Sequence, residues 1–159
     1  MTPTHAAALQ VARESFAMLR TALDGLPDEA ADWVPAPHTN SLAVLTAHCV
    51  TAARFFYGCG SGAKTSIASY FSNERRGAFA SKDRSISGLL AAIDEFLPEL
   101  EEILAKGDSA SLEAPISWPE DAPKEPERTG LDFLFRATGH LREHVGQAQL
   151  MRDLWLARS

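Results

Sequence analysis

Two histidines near the C-terminus form the clearest chemical pattern in the sequence. The stretch "HLREHVGQ" places His140 and His144 four residues apart in a segment whose apolar residues recur with helical spacing. Side chains at positions i and i+4 share a helix face, with Cβ atoms about 6 Å apart, so both imidazoles can reach one metal ion. The spacing predicts that both histidines face the interior, on a stripe of Phe133, Ala137, His140, His144, Gln147, Met151 and Leu154.

A third histidine lies on an apolar stripe elsewhere in the chain. His48 shares helical spacing with Leu45, Ala52 and Phe55. One buried histidine is usually satisfied by an ordinary hydrogen bond, but three clustered imidazoles need several partners, whereas one divalent ion binds a nitrogen of each. The residues alone therefore leave two alternatives, a metal site or three core histidines with separate partners. The pattern does not show that the two helices are neighbours.

Four long helical segments must position these residues. The periodicity predicts helices over about residues 4–23, 41–58, 85–107 and 129–156. Asn40 or Ser41 would cap the second helix, and Ser85 or Ser87 the third, in which Pro98 is expected to cause a bend.

The connections between the helices differ in length and composition. The second is long and predicts one short helix around residues 67–79. The third carries four prolines, which predict no regular structure, and its Trp118 is expected to pack against the helices. No segment has convincing strand spacing. The pattern predicts an all-α bundle in a single domain over residues 1–159.

Composition limits the possible partners and compartments. The chain has 159 residues, a net charge of -6 and ordinary hydrophobic content, so we expect no nucleic-acid partner. No apolar signal core or membrane-length apolar run is evident, and we predict a cytoplasmic protein without membrane association. Two cysteines make no disulfide framework; both are expected to be free thiols, with Cys49 a small buried hydrophobe.

Several neighbours of the histidines are candidates for auxiliary roles. Gln147 shares their stripe and could orient a ligand, or could be a packing amide. Glu143 lies about 100° around the helix from His144, so a solvated position is expected rather than a catalytic base. Arg136 and Arg142 could hold an anionic substrate, although arginines on a terminal helix more often belong to a solvated face.

The remaining motifs carry weaker signals. His5 and His38 fall outside the apolar stripes we identified and are expected at the surface. Trp33 could shape a pocket or pack over one end of the bundle. The stretch "GCGSGAKT" differs from a phosphate-binding loop at Ala63 and follows a helix rather than a strand, so we interpret it as a flexible connection.

Two segments together resemble a known family. "DWVPAPHTNSLAVLTAHCVTAARFF" and the later "HLREHVGQ" are similar to the DinB and YfiT superfamily of small metal-binding helical proteins, in a Trp-Pro linker, a capped helix with a histidine, and a final His-x-x-x-His-x-Gly-Gln. The resemblance implies an up-down-down-up four-helix bundle with a long second connection. It also implies that His48, His140 and His144 bind one divalent transition metal, for which zinc, nickel and iron all suit the ligand type.

The resemblance also implies a class of activity. Relatives that act as mycothiol-dependent isomerases commonly have a carboxylate at the position of His140, so this chain is more similar to the YfiT-like and bacillithiol-transferase-like branch. A metal-dependent thiol S-transferase or hydrolase follows as the expected function, with a small-molecule substrate that includes a low-molecular-weight thiol. The alternative is a non-catalytic metal-binding or stress-response protein. The family often forms dimers, so a homodimer is a further expectation.

Overall fold

Four long helices dominate the structure, a computed structural model that describes residues 1–118 and 127–158. They are α1 (Pro3–Leu23), α3 (Leu42–Gly60), α5 (Ile86–Ala105) and α7 (Gly130–Ala157). Shorter elements lie between them: α2 (Glu29–Asp32), a π-helical turn (Tyr70–Glu74), α4 (Arg75–Phe79), α6 (Ser109–Glu113), β1 (Pro115–Ile116) and β2 (Arg128–Thr129). The predicted helices agree with the four long ones to within about two residues, and a mostly helical fold is confirmed.

Side-chain caps explain where the long helices begin. Ser41 accepts a hydrogen bond from the backbone N–H of Val44 at 3.2 Å, and Ser85 accepts one from that of Gly88 at 3.0 Å. Ser41 and Ser85 are each one of the two capping residues predicted for the start of their helix. Thr129 and Asp132 form a reciprocal capping box at the start of α7, which satisfies backbone donors that have no partner within the helix. Pro98 lies inside α5.

The four long helices surround one hydrophobic core. Both α1 and α3 pack against α5 and α7, so each long helix has two long neighbours. The fully buried large side chains include Phe16, Phe96 and Phe133. Within the described residues, only α3 is long and apolar enough to suit a membrane, and 78% of that stretch is buried in the protein. Its apolar composition is therefore that of a core helix.

The connections contain more regular structure than predicted. The short helix expected around residues 67–79 is confirmed as the π-helical turn followed by α4. The third connection was wrongly predicted to lack regular structure, since it contains α6 and the antiparallel pair of β1 with β2. A proline at Pro115 is compatible with a two-residue edge strand, because such a strand needs few ladder hydrogen bonds. Pro119, Pro123 and Pro126 lie outside the described residues.

Two glycines allow close contacts where α3 ends and α7 begins. A Cβ on Gly60 would overlap the side chain of Leu134 in α7, and a Cβ on Gly130 would overlap the backbone carbonyl of Ser111. Gly60 lies in the stretch interpreted as a flexible connection. That interpretation was wrong for its first residues, because Gly58 and Gly60 belong to the last turn of α3 and are buried.

Candidate metal centre

The packing of α3 against α7 brings the three predicted histidines together. The Nε2 atom of His140 lies 3.1 Å from Nε2 of His48 and 3.2 Å from Nε2 of His144. The candidate ligand atoms of all three residues lie within 4.8 Å of one another. These three residues are called the triad below. His48 is supplied by α3, whereas α7 supplies two imidazoles separated by one helical turn.

Hydrogen bonding shows which nitrogens of the triad are free to bind. The Nδ1–H of His144 donates to Oε1 of Gln147 at 2.8 Å, which leaves the lone pair on Nε2 of His144. Because Nε2 of His144 carries no proton, it can form a hydrogen bond with His140 only if Nε2–H of His140 donates to it. The single proton on Nε2 of His140 cannot also form a hydrogen bond with His48. The two contacts at His140 therefore cannot both be full hydrogen bonds between neutral rings.

A divalent cation resolves this arrangement. Nitrogens bound at 2.0–2.1 Å in a tetrahedral site lie about 3.4 Å apart. The two separations at His140 are close to this value, and the third pair lies within 4.8 Å. The donor set suits the ion as well, because imidazole binds zinc, nickel and iron. The three histidines could thus hold one metal ion, and three protein ligands would leave at least one coordination position open.

Burial keeps two of the imidazoles neutral. His48 is 3% exposed, and burial lowers its pKa to about 3, with smaller contributions from His140, His144 and Arg75. Burial likewise lowers the pKa of His140 to about 4, assisted by the charges of His144, Arg136 and Arg75. Both rings are therefore unprotonated at neutral pH, the form in which imidazole binds a metal.

The two sides of the triad are held differently. Gln147 orients His144 through the hydrogen bond, which supports the predicted ligand-orienting role of this amide. Nδ1 of His48 is buried without a hydrogen-bond partner in the described structure, and its ring lies 4.7 Å from the ring of Phe79. Packing therefore positions His48, whereas a hydrogen bond positions His144.

Aromatic residues cover the triad on the side of the second connection. Phe56 lies 5.4 Å from His140 between ring centroids, and Tyr70 lies 5.1 Å from Phe56. Trp118 stacks on Phe71 at 6.1 Å and is partly buried against the core, so its predicted packing is confirmed. Of these rings, buried Phe56 contacts the triad directly, and Tyr70 packs behind it.

A cavity of about 340 Å³ lies beyond Gln147 on another side. Its lining combines apolar residues of α3 and α7 with the first connection: Pro35, His38, Thr39, Asn40, Leu45, Gln147, Leu150, Met151 and Leu154. Trp33 is absent from this lining and packs edge-on against Trp155 at 5.6 Å, which supports the bundle-end interpretation. The cavity is large enough for a small organic molecule.

The two arginines predicted on α7 have different environments. Arg136 lies over the ring of Phe56, 5.6 Å from its centroid, and its charge acts on His140. Arg142 instead contacts Sδ of Met18 and pairs with Glu14 on α1. Glu143 is exposed, as predicted. Only Arg136 of these three therefore belongs to the surroundings of the triad.

Of the remaining candidates, His5 was predicted wrongly. It is fully buried, its Nε2–H donates to the carbonyl of Gly60 at 3.0 Å, and its Nδ1 contacts Oγ1 of Thr2 at 2.7 Å. His38 is exposed, as expected. Cys49 and Cys59 are both buried free cysteines, and burial raises the pKa of each thiol to about 12. Neither cysteine is a reactive thiolate at neutral pH.

Sequence reasoning missed the residues that the second connection contributes. Tyr70, Arg75 and Phe79 lie near the triad, but they precede His140 by more than sixty residues. The predicted short helix was the only signal, and it gave no indication of where that helix would pack.

Comparison with protein families identifies a family for this chain. Residues 12–148 match the family model of the DinB superfamily, which covers most of the chain and all three histidines. Comparison with curated proteins gives no match.

Proposed function

This chain belongs to the DinB superfamily, and from that premise we propose that it is a metal-dependent enzyme of the thiol S-transferase type. Its triad of His48, His140 and His144 would bind one divalent transition metal, zinc, nickel or iron. The convergence of three imidazole nitrogens carries the proposal, since neutral rings cannot satisfy one another in this arrangement.

The proposed reaction joins a low-molecular-weight thiol to an electrophilic small molecule. A bound divalent ion would supply a Lewis acid that lowers the pKa of a coordinated thiol or water. In the transfer, sulfur forms a bond to the electrophilic carbon and the thiol proton goes to solvent. The bond from carbon to the leaving group breaks, and its electron pair goes with that group. Hydrolysis, with water in place of the thiol, is the close competitor.

The residues around the triad support this chemistry in distinct ways. Gln147 fixes the tautomer and orientation of His144, which keeps Nε2 available as a ligand. The buried ring of Phe56 packs against His140 and limits contact of water with that imidazole, which strengthens electrostatic interactions at the triad. The cavity beside Gln147 offers an apolar surface for the electrophile. Buried Cys49 and Cys59 are not the thiol, because burial keeps both protonated.

The wider organisation of the protein is part of the same proposal. We infer the up-down-down-up order of the four long helices from family membership together with the long second connection. We also propose a cytoplasmic protein that acts on small molecules, forms a homodimer and has no nucleic-acid or membrane partner. The net charge of -6 supports the exclusion of nucleic acid.

Metal content and turnover together test the proposal. The protein is prepared without a polyhistidine tag and analysed for metals, beside His144→Ala and the neighbouring control Glu143→Ala. We expect about one equivalent of a transition metal in the natural protein and in the Glu143 variant, and loss of that metal from His144→Ala. Each protein is then assayed with several thiols and 1-chloro-2,4-dinitrobenzene, measuring chloride release.

The outcomes separate binding from catalysis. Turnover that requires both metal and His144 supports the transferase. Metal that depends on His144 without turnover of any electrophile, including activated esters, favours the alternative of a non-catalytic metal-binding protein. No metal, even after incubation with zinc, nickel and iron, contradicts the metal site itself.

A further inference from the structure

Two arginines from distant parts of the chain flank the triad through aromatic rings. The guanidinium of Arg75 lies 4.7 Å from the ring centroid of Phe79, whose ring is 4.7 Å from that of His48. The guanidinium of Arg136 lies 5.6 Å from the ring centroid of Phe56, whose ring is 5.4 Å from that of His140. Each cation is thus placed by a ring that contacts a different imidazole.

The electrostatic effects of both arginines converge on the same residues. The charges of Arg75 and Arg136 both lower the pKa of His140, and both oppose the burial that raises the pKa of Tyr70 to about 12. Glu74 acts on Tyr70 in the opposite direction, with a smaller effect than either arginine. The charges of both arginines therefore act on His140 and on Tyr70, in agreement with their placement by Phe79 and Phe56 beside the triad.

Neither arginine is neutralised in the part of the chain that the structure describes. Other arginines pair with carboxylates across helices, as Arg54 does with Glu99 and Arg142 with Glu14. No such pair is formed by Arg75 or Arg136 within residues 1–118 and 127–158. A bound dication would add to the local positive charge, so the region would favour anions.

We propose that Arg75 and Arg136 form a subsite for a carboxylate of the small-molecule substrate, with the other end of that molecule at the triad. The planar guanidinium matches the carboxylate geometry, and stacking on Phe79 and Phe56 limits its motion before the ligand arrives. This inference rests on the proposed function for the metal end of the ligand. The subsite adds a requirement for a negatively charged group on the substrate, which metal binding by the triad alone does not impose.

A pair of thiols that differ only in charge tests the subsite. Protein loaded with cobalt(II) is titrated with 3-mercaptopropionate and with 3-mercapto-1-propanol, following the absorption band of thiolate bound to cobalt. We expect about tenfold tighter binding of the acid, which corresponds to roughly 1.4 kcal/mol. Arg75→Gln and Arg136→Gln should each reduce that preference about threefold, and the double variant should remove it.

Matched arginines on the same elements serve as controls. Arg76→Gln changes the neighbouring residue of α4, and Arg142→Gln changes an arginine of α7 that pairs with α1. Both should retain the natural preference. Equal binding of the two thiols by the metal-loaded protein, or a preference that survives in the double variant, overturns the subsite.

A second titration keeps this inference separate from the metal site. Metal-free protein is titrated with succinate, and its chemical-shift changes are followed by NMR. Shifts centred on α4 and the start of α7 that disappear in the double variant support the subsite even if no metal binds. Shifts that are absent, or unchanged in the double variant, overturn it, whereas failure to bind cobalt contradicts only the proposed metal site.

Discussion

Two groups of buried or half-buried histidine in this protein satisfy their nitrogens in opposite ways. His5, at the start of α1, has a protein partner for each ring nitrogen, Thr2 on one side and the carbonyl of Gly60 on the other. Within residues 1–118 and 127–158 the triad has one such partner, Gln147, and its Nε2 atoms face one another. Burial alone therefore does not distinguish a structural imidazole from a candidate ligand. The partners of the nitrogens do.

The difference follows from what a neutral imidazole can offer. One nitrogen donates and the other accepts, so a hydroxyl and a carbonyl satisfy His5 completely. Such a residue links the first turn of α1 to the end of α3 and has no lone pair left for a ligand. Three nitrogens that point at one another lack such complementary partners, and the cost of burying them is removed when a cation binds their lone pairs.

The largest expected effect separates the two groups by metal affinity. His140→Ala removes one of three ligands and should weaken zinc binding by more than the roughly 100-fold that loss of an outer partner can cause. His5→Ala should retain full zinc affinity while lowering the free energy of unfolding by about 2–4 kcal/mol, through lost hydrogen bonds and a cavity. Thermal unfolding with zinc or with EDTA measures both effects.

In that experiment the natural protein and His5→Ala should each be stabilised by zinc, and His140→Ala should not, because a ligand stabilises only the state that binds it. Loss of the zinc effect in His5→Ala, when the protein is still folded, would contradict the assignment of His5 as purely structural.

A smaller effect concerns pH in the metal-free protein. The pKa of His48 is about 3 and that of His140 about 4 in the folded chain, against about 6.5 when unfolded. Between about pH 4 and pH 6.5 the unfolded chain binds more protons than the folded chain. The contribution of these two histidines to the free energy of unfolding is therefore fully present above about pH 6.5 and decreases as the pH falls. We expect uptake of up to two protons per molecule on unfolding near pH 5, measured from melting temperatures between pH 7 and 5.

The double variant His48→Gln/His140→Gln serves as the control for this window, which lies above the usual pKa values of carboxyl groups. It should lose most of the dependence. A melting temperature of the metal-free natural protein that stays constant from pH 7 to 5 would contradict the depressed pKa values.

The smallest expected effect tests the hydrogen bond that orients the triad. Gln147→Ala should weaken zinc binding about tenfold, the lower end of the range for an outer partner of a metal ligand. Gln149→Ala, an exposed glutamine on the same helix, should leave the affinity unchanged. Competition with a chromophoric chelator measures both affinities. Equal affinities of the two variants would show that packing, and not Gln147, positions His144.

Local periodicity was sufficient to predict the four long helices and the faces that carry the triad. Spacing placed His48 beside Leu45 and Ala52, and all three are buried. The predicted stripe of α7 is only half-buried in its middle, at His140, His144 and Gln147, where the fully buried residues beside it are Leu141, Val145 and Ala148. At its end Leu154 is 40% exposed and Trp155 is buried instead. Leu154 lies three residues after buried Met151 and Trp155 lies four residues after it, so the buried face continues with a step of four rather than three.

The error at His5 was avoidable. Position 5 continues the spacing of Leu9, Phe16 and Leu19, which predicted the inward face of α1. Its partner Gly60, however, is 55 residues away, and no local pattern indicates that contact. The same limit applies to Arg75, whose position near the triad depends on how the second connection packs. Metal binding by the triad stays a prediction.

The glycine contacts between α3 and α7 have a consequence for the distant triad. Helical rise places Gly60 about 18 Å from His48 along α3, and Gly130 about 15 Å from His140 along α7. A side chain at either glycine would have to displace Leu134 or the backbone at Ser111. Because helices are stiff, a side chain at Gly60 would change the angle at which α3 and α7 cross, and with it the separation of the imidazoles they carry. A side chain at Gly130 would instead press α7 away from α6. The spacing of the triad is thus controlled in part from the far end of α3, about 18 Å from His48, by a residue that has no side chain.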